Sequence, residues 1–114
     1  MKNILFIAIT ISLLVLSGCA KKDYTTFAQC LTENNASMYG AYWCSHCANQ
    51  KKEFGSAFMY INYVECDAKG AKANPALCEE KGIQGYPTWE IHGILFPGEM
   101  PLDKLSGLSG CPLS

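Results

Sequence analysis

The chain has 114 residues, 49% of them hydrophobic and 17% charged, with a formal net charge of −1, which bounds it to one small domain. Its positive charge is nine lysines and no arginine, which argues against the basic, arginine-forked surface of a nucleic-acid binder, while 11% aromatic residues argue against disorder. Seven cysteines in so short a chain point to an oxidising compartment, a metal site or thiol chemistry.

Lys2 precedes thirteen uncharged, mostly apolar residues, Ile4 to Leu16. That is the layout of a signal peptide, and it falls short of the roughly 20 residues that a transmembrane helix needs. It ends in Leu16-Ser17-Gly18-Cys19, which resembles a bacterial lipobox. The resemblance implies a signal peptide over residues 1–18, lipidation of Cys19 and attachment of an exported domain to the membrane. An ordinary secretory signal or an uncleaved anchor is the alternative. Removing residues 1–18 leaves 96 residues with net charge −2. A domain of that size gains from covalent staples.

Residues 19–23 read as a short polar tether and residues 24–114 as the folded domain. Tyr24–Asn34 is expected to be a helix, with Phe27, Cys30 and Leu31 on one stripe. Ser37–Tyr42 reads as a buried strand, and a second helix is expected from near Cys44 to about Phe58, with Gly55 inside it. Ile61–Glu65 alternates and is expected to be a strand. After a polar loop, Asn74-Pro75 signals a helix running to about Lys81 and stopped by Gly82. Thr88–Ile91 and Ile94–Phe96 flank His92-Gly93 as a hairpin, and Leu102–Leu108 reads as a final short helix. This order predicts an α/β fold with a central mixed sheet flanked by helices.

The chemistry centres on Trp43-Cys44-Ser45-His46-Cys47, where a strand gives way to a helix. Only a thiolate attacks a disulfide, and an unassisted cysteine near pKa 8.5 is mostly protonated at neutral pH. Unpaired N–H groups and the dipole at a helix N-terminus favour the anion at Cys44. Cys47 stands one turn on, where it can resolve a mixed disulfide formed at Cys44. A protonated His46 would add positive charge near the Cys44 sulfur and make the pair more oxidising; the bland alternative is a solvated helix residue. Zinc would need two more ligands, and Cys66 and Cys78 lie too far apart in sequence to be a zinc knuckle, so no metal is expected. Gly85-Tyr86-Pro87-Thr88 precedes a strand, where a proline forfeits no ladder hydrogen bond and a cis peptide is affordable.

Tyr42-Trp43-Cys44-x-x-Cys47 leading into a helix, followed by Gly-Tyr-Pro-Thr before a hairpin, resembles the thioredoxin fold. The strings Met38 to Cys47, Tyr63-Val64-Glu65-Cys66 and Tyr86-Pro87-Thr88-Trp89-Glu90-Ile91 resemble the thioredoxin-like domains that are fused to, or travel with, homologues of vitamin K epoxide reductase. The resemblance covers roughly Phe27 to Gly110. It implies Cys44 as nucleophile, Cys47 as resolving thiol and Pro87 as the cis proline facing them. It also implies protein thiols and disulfides as substrates, a membrane quinone reductase of that type as partner, and no cofactor. Two departures stand out. Cytoplasmic thioredoxins carry a buried aspartate six residues before the first active cysteine, where this chain has Met38, and their Cys-Gly-Pro-Cys is here Cys-Ser-His-Cys.

Cys66 and Cys78 are expected to form one structural disulfide, which leaves Cys30 with Cys111 for a second; unpaired core thiols are the alternative. Trp43 and Tyr86 are candidates for an aromatic rim that holds a peptide, with Tyr42 divided between rim and core. Trp89 reads as core, His92 as a solvated turn residue and Lys51-Lys52-Glu53 as an exposed helix face. The sequence therefore predicts a monomeric, exported, membrane-anchored thiol–disulfide oxidoreductase acting as an oxidant. A reductase or isomerase, and a metal-delivery module using the same cysteines, are the competing readings.

Overall fold

The computed structural model describes residues 22–114. The expected signal peptide at 1–18, the lipidation site Cys19 and most of the 19–23 tether lie outside the described residues. Among the described residues no helix is long and apolar enough to cross a membrane.

The chain runs α1 (Thr25–Glu33), β1 (Ser37–Gly40), α2 (Ser45–Phe54), a 3₁₀ segment (Gly55–Tyr60), β2 (Asn62–Glu65), α3 (Pro75–Lys81), β3 (Thr88–Ile91), β4 (Ile94–Pro97) and α4 (Leu102–Ser109). The sheet order is β2-β1-β3-β4. β1 pairs parallel with β2 and antiparallel with β3, and β4 closes an antiparallel hairpin on β3. This is the α/β mixed sheet with flanking helices that the sequence predicts.

Local chemistry explains the boundaries. Asp23 accepts the Thr25 N–H at 2.9 Å, so the first helix opens at Thr25. Asn74 caps α3 by accepting the Leu77 N–H at 3.3 Å, Pro75 takes the first helical position, and Gly82 ends the helix at φ +72°. His92 and Gly93 both take positive φ, as the tight β3–β4 turn requires.

Two expected elements are shorter than the sequence suggests. The strand from Ser37 stops at Gly40 instead of Tyr42, because Ala41 to Cys44 form a turn in which Cys44 N–H donates to the Ala41 carbonyl at 3.0 Å. The second α-helix stops at Phe54 instead of Phe58: Gly55 takes φ +60°, and the chain continues as 3₁₀ to Tyr60.

The core lies between the sheet and the helices. Trp89 from β3 is fully buried beside Phe54, and Phe54 stacks on Phe27 of α1 at 5.9 Å between ring centroids. Met38 is fully buried in β1. Gln50 is also fully buried and is satisfied on every side. Its carbonyl oxygen accepts from Trp89 Nε1 at 3.1 Å and from Met100 N–H at 2.8 Å, and its amide donates to the Met100 carbonyl at 3.0 Å. Those bonds fix α2, and hence its N-terminus, against β3 and the segment before α4. Cys30 is bonded to Cys111 and Cys66 to Cys78, tying α1 to the C-terminal tail and β2 to α3.

Candidate active site

Cys44 is the N-cap of α2. Its sulfur accepts the Cys47 backbone N–H at 3.2 Å, one of the donors that a helix start leaves without an intrahelical partner. The Cys44 thiol also donates to the Tyr86 carbonyl at 3.5 Å. The Tyr86–Pro87 peptide is cis. Two bonds hold its loop: Thr88 Oγ1 donates to the Gly85 carbonyl and Gly98 N–H to the Pro87 carbonyl, both at 2.7 Å. Residues 42 positions apart in sequence thus meet where β1 turns into α2.

The two sulfurs have different surroundings. Cys44 is 7% exposed and faces a cleft of about 540 Å³ lined by Trp43, Ser45, His46, Gly85 and Tyr86 among others. Cys47 lies behind it at 1% exposed, and burial, followed by its contact with Cys44, pushes its thiol up to about 12. Cys47 therefore rests as the neutral thiol while Cys44 presents its sulfur to the cleft. Cys44 and Cys47 are the free cysteines among the described residues. No three of His, Cys, Asp and Glu converge as metal ligands among those residues.

The rim is aromatic. Trp43 is 60% exposed and meets Tyr86 edge to face at 6.0 Å. Trp43 Nε1 donates to Asp67 Oδ2 at 2.7 Å, which fixes the indole over the turn after β2. The Lys69 N–H and then the Trp43 indole hold the Asp67 carboxyl below its ordinary value. Tyr42, for which the sequence left core packing open, is exposed.

His46 projects from the first turn of α2, and its Nδ1 lies 2.6 Å from Glu99 Oε1. Glu99 also accepts from Asn49 Nδ2 at 3.4 Å. No sequence spacing links Glu99 to the cysteine motif, because the contact is made by the segment between β4 and α4. His92 bonds the Ser109 carbonyl at 3.3 Å in the hairpin turn and takes no part in the cleft. Lys51 is not merely part of an exposed face: its ammonium sits 4.1 Å from the centroid of the Tyr63 ring. Tyr63 and Gly40 complete the floor. A Cβ on Gly40 would stand 2.9 Å from Tyr63 Cε2 and 3.0 Å from Cys47 Sγ, so only glycine leaves room for this sulfur.

An α/β sheet of this order, with a Cys-x-x-Cys pair at the start of the helix after β1 and a cis proline opposite, is a thioredoxin-like domain. The chain is 41% identical over 90 residues to the thiol-disulfide oxidoreductase LTO1 of Arabidopsis thaliana, an alignment covering 75% of this chain and 24% of that protein. It is 38% identical over 53 residues to a Schistosoma mansoni protein named "Probable protein disulfide-isomerase ER-60", covering 43% of this chain and 11% of the other. The matched region thus spans a quarter or less of each of these relatives. No protein-family model matches the chain.

Proposed function

We propose that this chain is an exported thiol–disulfide oxidoreductase, anchored to the membrane through a lipidated Cys19, that passes disulfides to protein thiols. A membrane quinone reductase of the vitamin K epoxide reductase type recharges it. In this reading Cys44 is the nucleophile and leaving thiolate, and Cys47 is the resolving thiol. Pro87 and the Tyr86 carbonyl face the reacting sulfur, His46 adds charge beside it, and Trp43 and Tyr86 grip the partner chain. The observation that carries it is the Cys44 sulfur itself, which accepts an N–H at the opening of α2, borders an open cleft and has a second thiol one turn behind it.

The chemistry follows from that placement. In the oxidised domain a substrate thiolate attacks the Cys44 sulfur, the Cys44–Cys47 bond breaks, and Cys47 leaves with the electron pair and takes a proton. A second substrate thiolate then attacks the substrate sulfur of the mixed disulfide, and Cys44 departs as a thiolate held by the Cys47 N–H. The substrate gains a disulfide and the domain two electrons, which the membrane partner would remove. Leu16-Ser17-Gly18-Cys19 and the apolar run before it support the anchor.

The test is direct. Cys47→Ala should accumulate mixed disulfides with partner proteins, resolved on non-reducing gels, and Cys44→Ala should accumulate none. A Cys47→Ala chain that captures no partner would falsify the role assignment. Labelled palmitate incorporated into the wild-type chain, and lost in Cys19→Ala, tests the anchor. The name of the Schistosoma mansoni relative supports a second reading, disulfide isomerisation. A reduction potential near about −120 mV favours the oxidant, and one near about −180 mV or below favours the isomerase or reductase.

A further inference from the structure

Glu65 is a carboxylate to which the exchange chemistry assigns no task. It ends β2 at 5% exposed. Its Oε1 accepts the Tyr63 hydroxyl at 3.3 Å and its Oε2 accepts the Asp67 N–H at 3.1 Å. Gly70 folds over it so closely that a Cβ there would lie 2.6 Å from Oε1. A carboxylate buried this deeply is costly unless it is well bonded, and among the described residues no cation forms a salt bridge with it.

Tyr63 connects this group to the cysteines. The point where a Gly40 Cβ would stand is 3.3 Å from the Tyr63 hydroxyl and 3.0 Å from the Cys47 sulfur, so oxygen and sulfur pack against the same glycine. The titratable groups facing this cluster are Cys44, Cys47 and Lys51 from α2 and its cap, and Asp67 from the turn after β2. Lys51 sits over the Tyr63 ring, and the Asp67 carboxylate is turned to Trp43 and Lys69. The strand that leads to the active site has only the apolar Met38 at its buried centre.

The geometry points to Glu65 as the group that accepts and returns the Cys47 proton, acting through the Tyr63 hydroxyl from the strand next to β1. Glu65 is thus a positioning residue, and Tyr63 is the group beside the reacting sulfur. This rests on the exchange reading above. When a mixed disulfide at Cys44 resolves, the Cys47 S–H proton passes to the Tyr63 oxygen while the Tyr63 proton passes to Glu65. The Cys47 sulfur bonds to Cys44, the Cys44–partner bond breaks, and the partner sulfur leaves with the electron pair. In the opposite direction the protonated Glu65 returns its proton to the departing Cys47 thiolate.

The test uses the reduced full chain with oxidised glutathione as the probe. Acid quenching and mass spectrometry follow formation of the Cys44–glutathione adduct and then its loss. Glu65→Gln, which keeps an acceptor for the Asp67 N–H, should leave adduct formation unchanged. It should slow adduct loss by at least about tenfold near pH 6–7, with the deficit closing as pH rises and hydroxide takes over. Tyr63→Phe should do the same, and it carries the readout if Glu65→Gln does not fold. Glu65→Asp should recover part of the rate. A folded Glu65→Gln or Tyr63→Phe chain that follows the wild-type pH curve overturns the relay alone. A deficit of the same size at every pH means a structural role and also overturns it. A wild-type Cys44 that takes up no glutathione overturns the exchange reading as well.

Discussion

The His46 imidazole and the Glu99 carboxylate, 53 positions apart in sequence, meet at 2.6 Å beside the opening of α2. Glu99 gives His46 a fixed location that the Cys-Ser-His-Cys motif alone does not supply. In the proposed mechanism it also sets a counter-charge against a protonated His46 and so moderates the histidine's pull on the Cys44 thiolate. His46→Ala should remove that pull and make the pair more reducing. Because the imidazole is 72% exposed, the shift should be no more than about 30 mV, a factor of ten in the exchange constant. Equilibration with glutathione buffers measures it, and an unchanged potential would show that His46 has no part in the tuning.

The depth difference between the two sulfurs predicts selective labelling. Iodoacetamide added to the reduced protein at pH 7–8 should modify Cys44 and spare Cys47, whose thiol burial keeps neutral. Peptide mapping reads the two sites separately, and equal labelling would contradict the arrangement.

The same group makes stability depend on pH in one redox state only. Cys47 titrates near about 12 in the folded chain against 9.0 for an unperturbed thiol, so between those values the folded state holds the proton that the unfolded state has released. Stability of the reduced protein is therefore intact below pH 9 and falls as pH rises towards 12. The oxidised protein has no thiol at Cys47 and should lack this component. Melting curves of both forms from pH 8 to 11 should diverge, with the reduced form falling faster.

Gly40→Ala would push a methyl group into Tyr63 and the Cys47 sulfur. It should cost about 1–3 kcal/mol, as overpacking of a filled core does, and should slow exchange because the displaced sulfur is the resolving one. Urea unfolding and insulin-reduction assays read the two effects.

The two bonded cysteine pairs should contribute unequally. Cys30–Cys111 spans 81 positions and Cys66–Cys78 spans 12. Chain-entropy reasoning gives about 4.5 kcal/mol for the longer loop and about 3 kcal/mol for the shorter. Replacing each pair by alanines and measuring urea unfolding should rank them in that order, with the Cys44–Cys47 pair left chemically intact.

Much of this architecture was legible in the sequence, because local signals and packing agree. Asn74-Pro75 and Gly82 bracket α3, the His92-Gly93 turn makes the hairpin, and the period of Phe27 and Leu31 identifies the buried face of α1. Of the two shortened elements, α2 ends at Gly55, the glycine that the sequence already sets inside the expected helix, whereas the turn that ends β1, in which the Ala41 carbonyl accepts the Cys44 N–H, has no local signature. In the site, Cys44, Cys47, Trp43, Tyr86 and Pro87 could be named from motif spacing. Glu99, Asp67, Tyr63 and Glu65 could not, because strand pairing or loop closure brings each to the site, and Trp89 and Met100, the partners of Gln50, likewise arrive from β3 and the segment before α4. The buried Glu65 was hidden in plain view, since an alternating strand ending in glutamate reads as solvent-facing until the turn at residues 67–70 covers it.

The four sulfurs bonded in pairs leave the working couple without a rival inside the described domain. An oxidising equivalent that arrives at residue 44 has nowhere internal to wander, so turnover and scaffold integrity are insulated from each other. Such a domain can shuttle between its two states repeatedly without putting its own framework at stake.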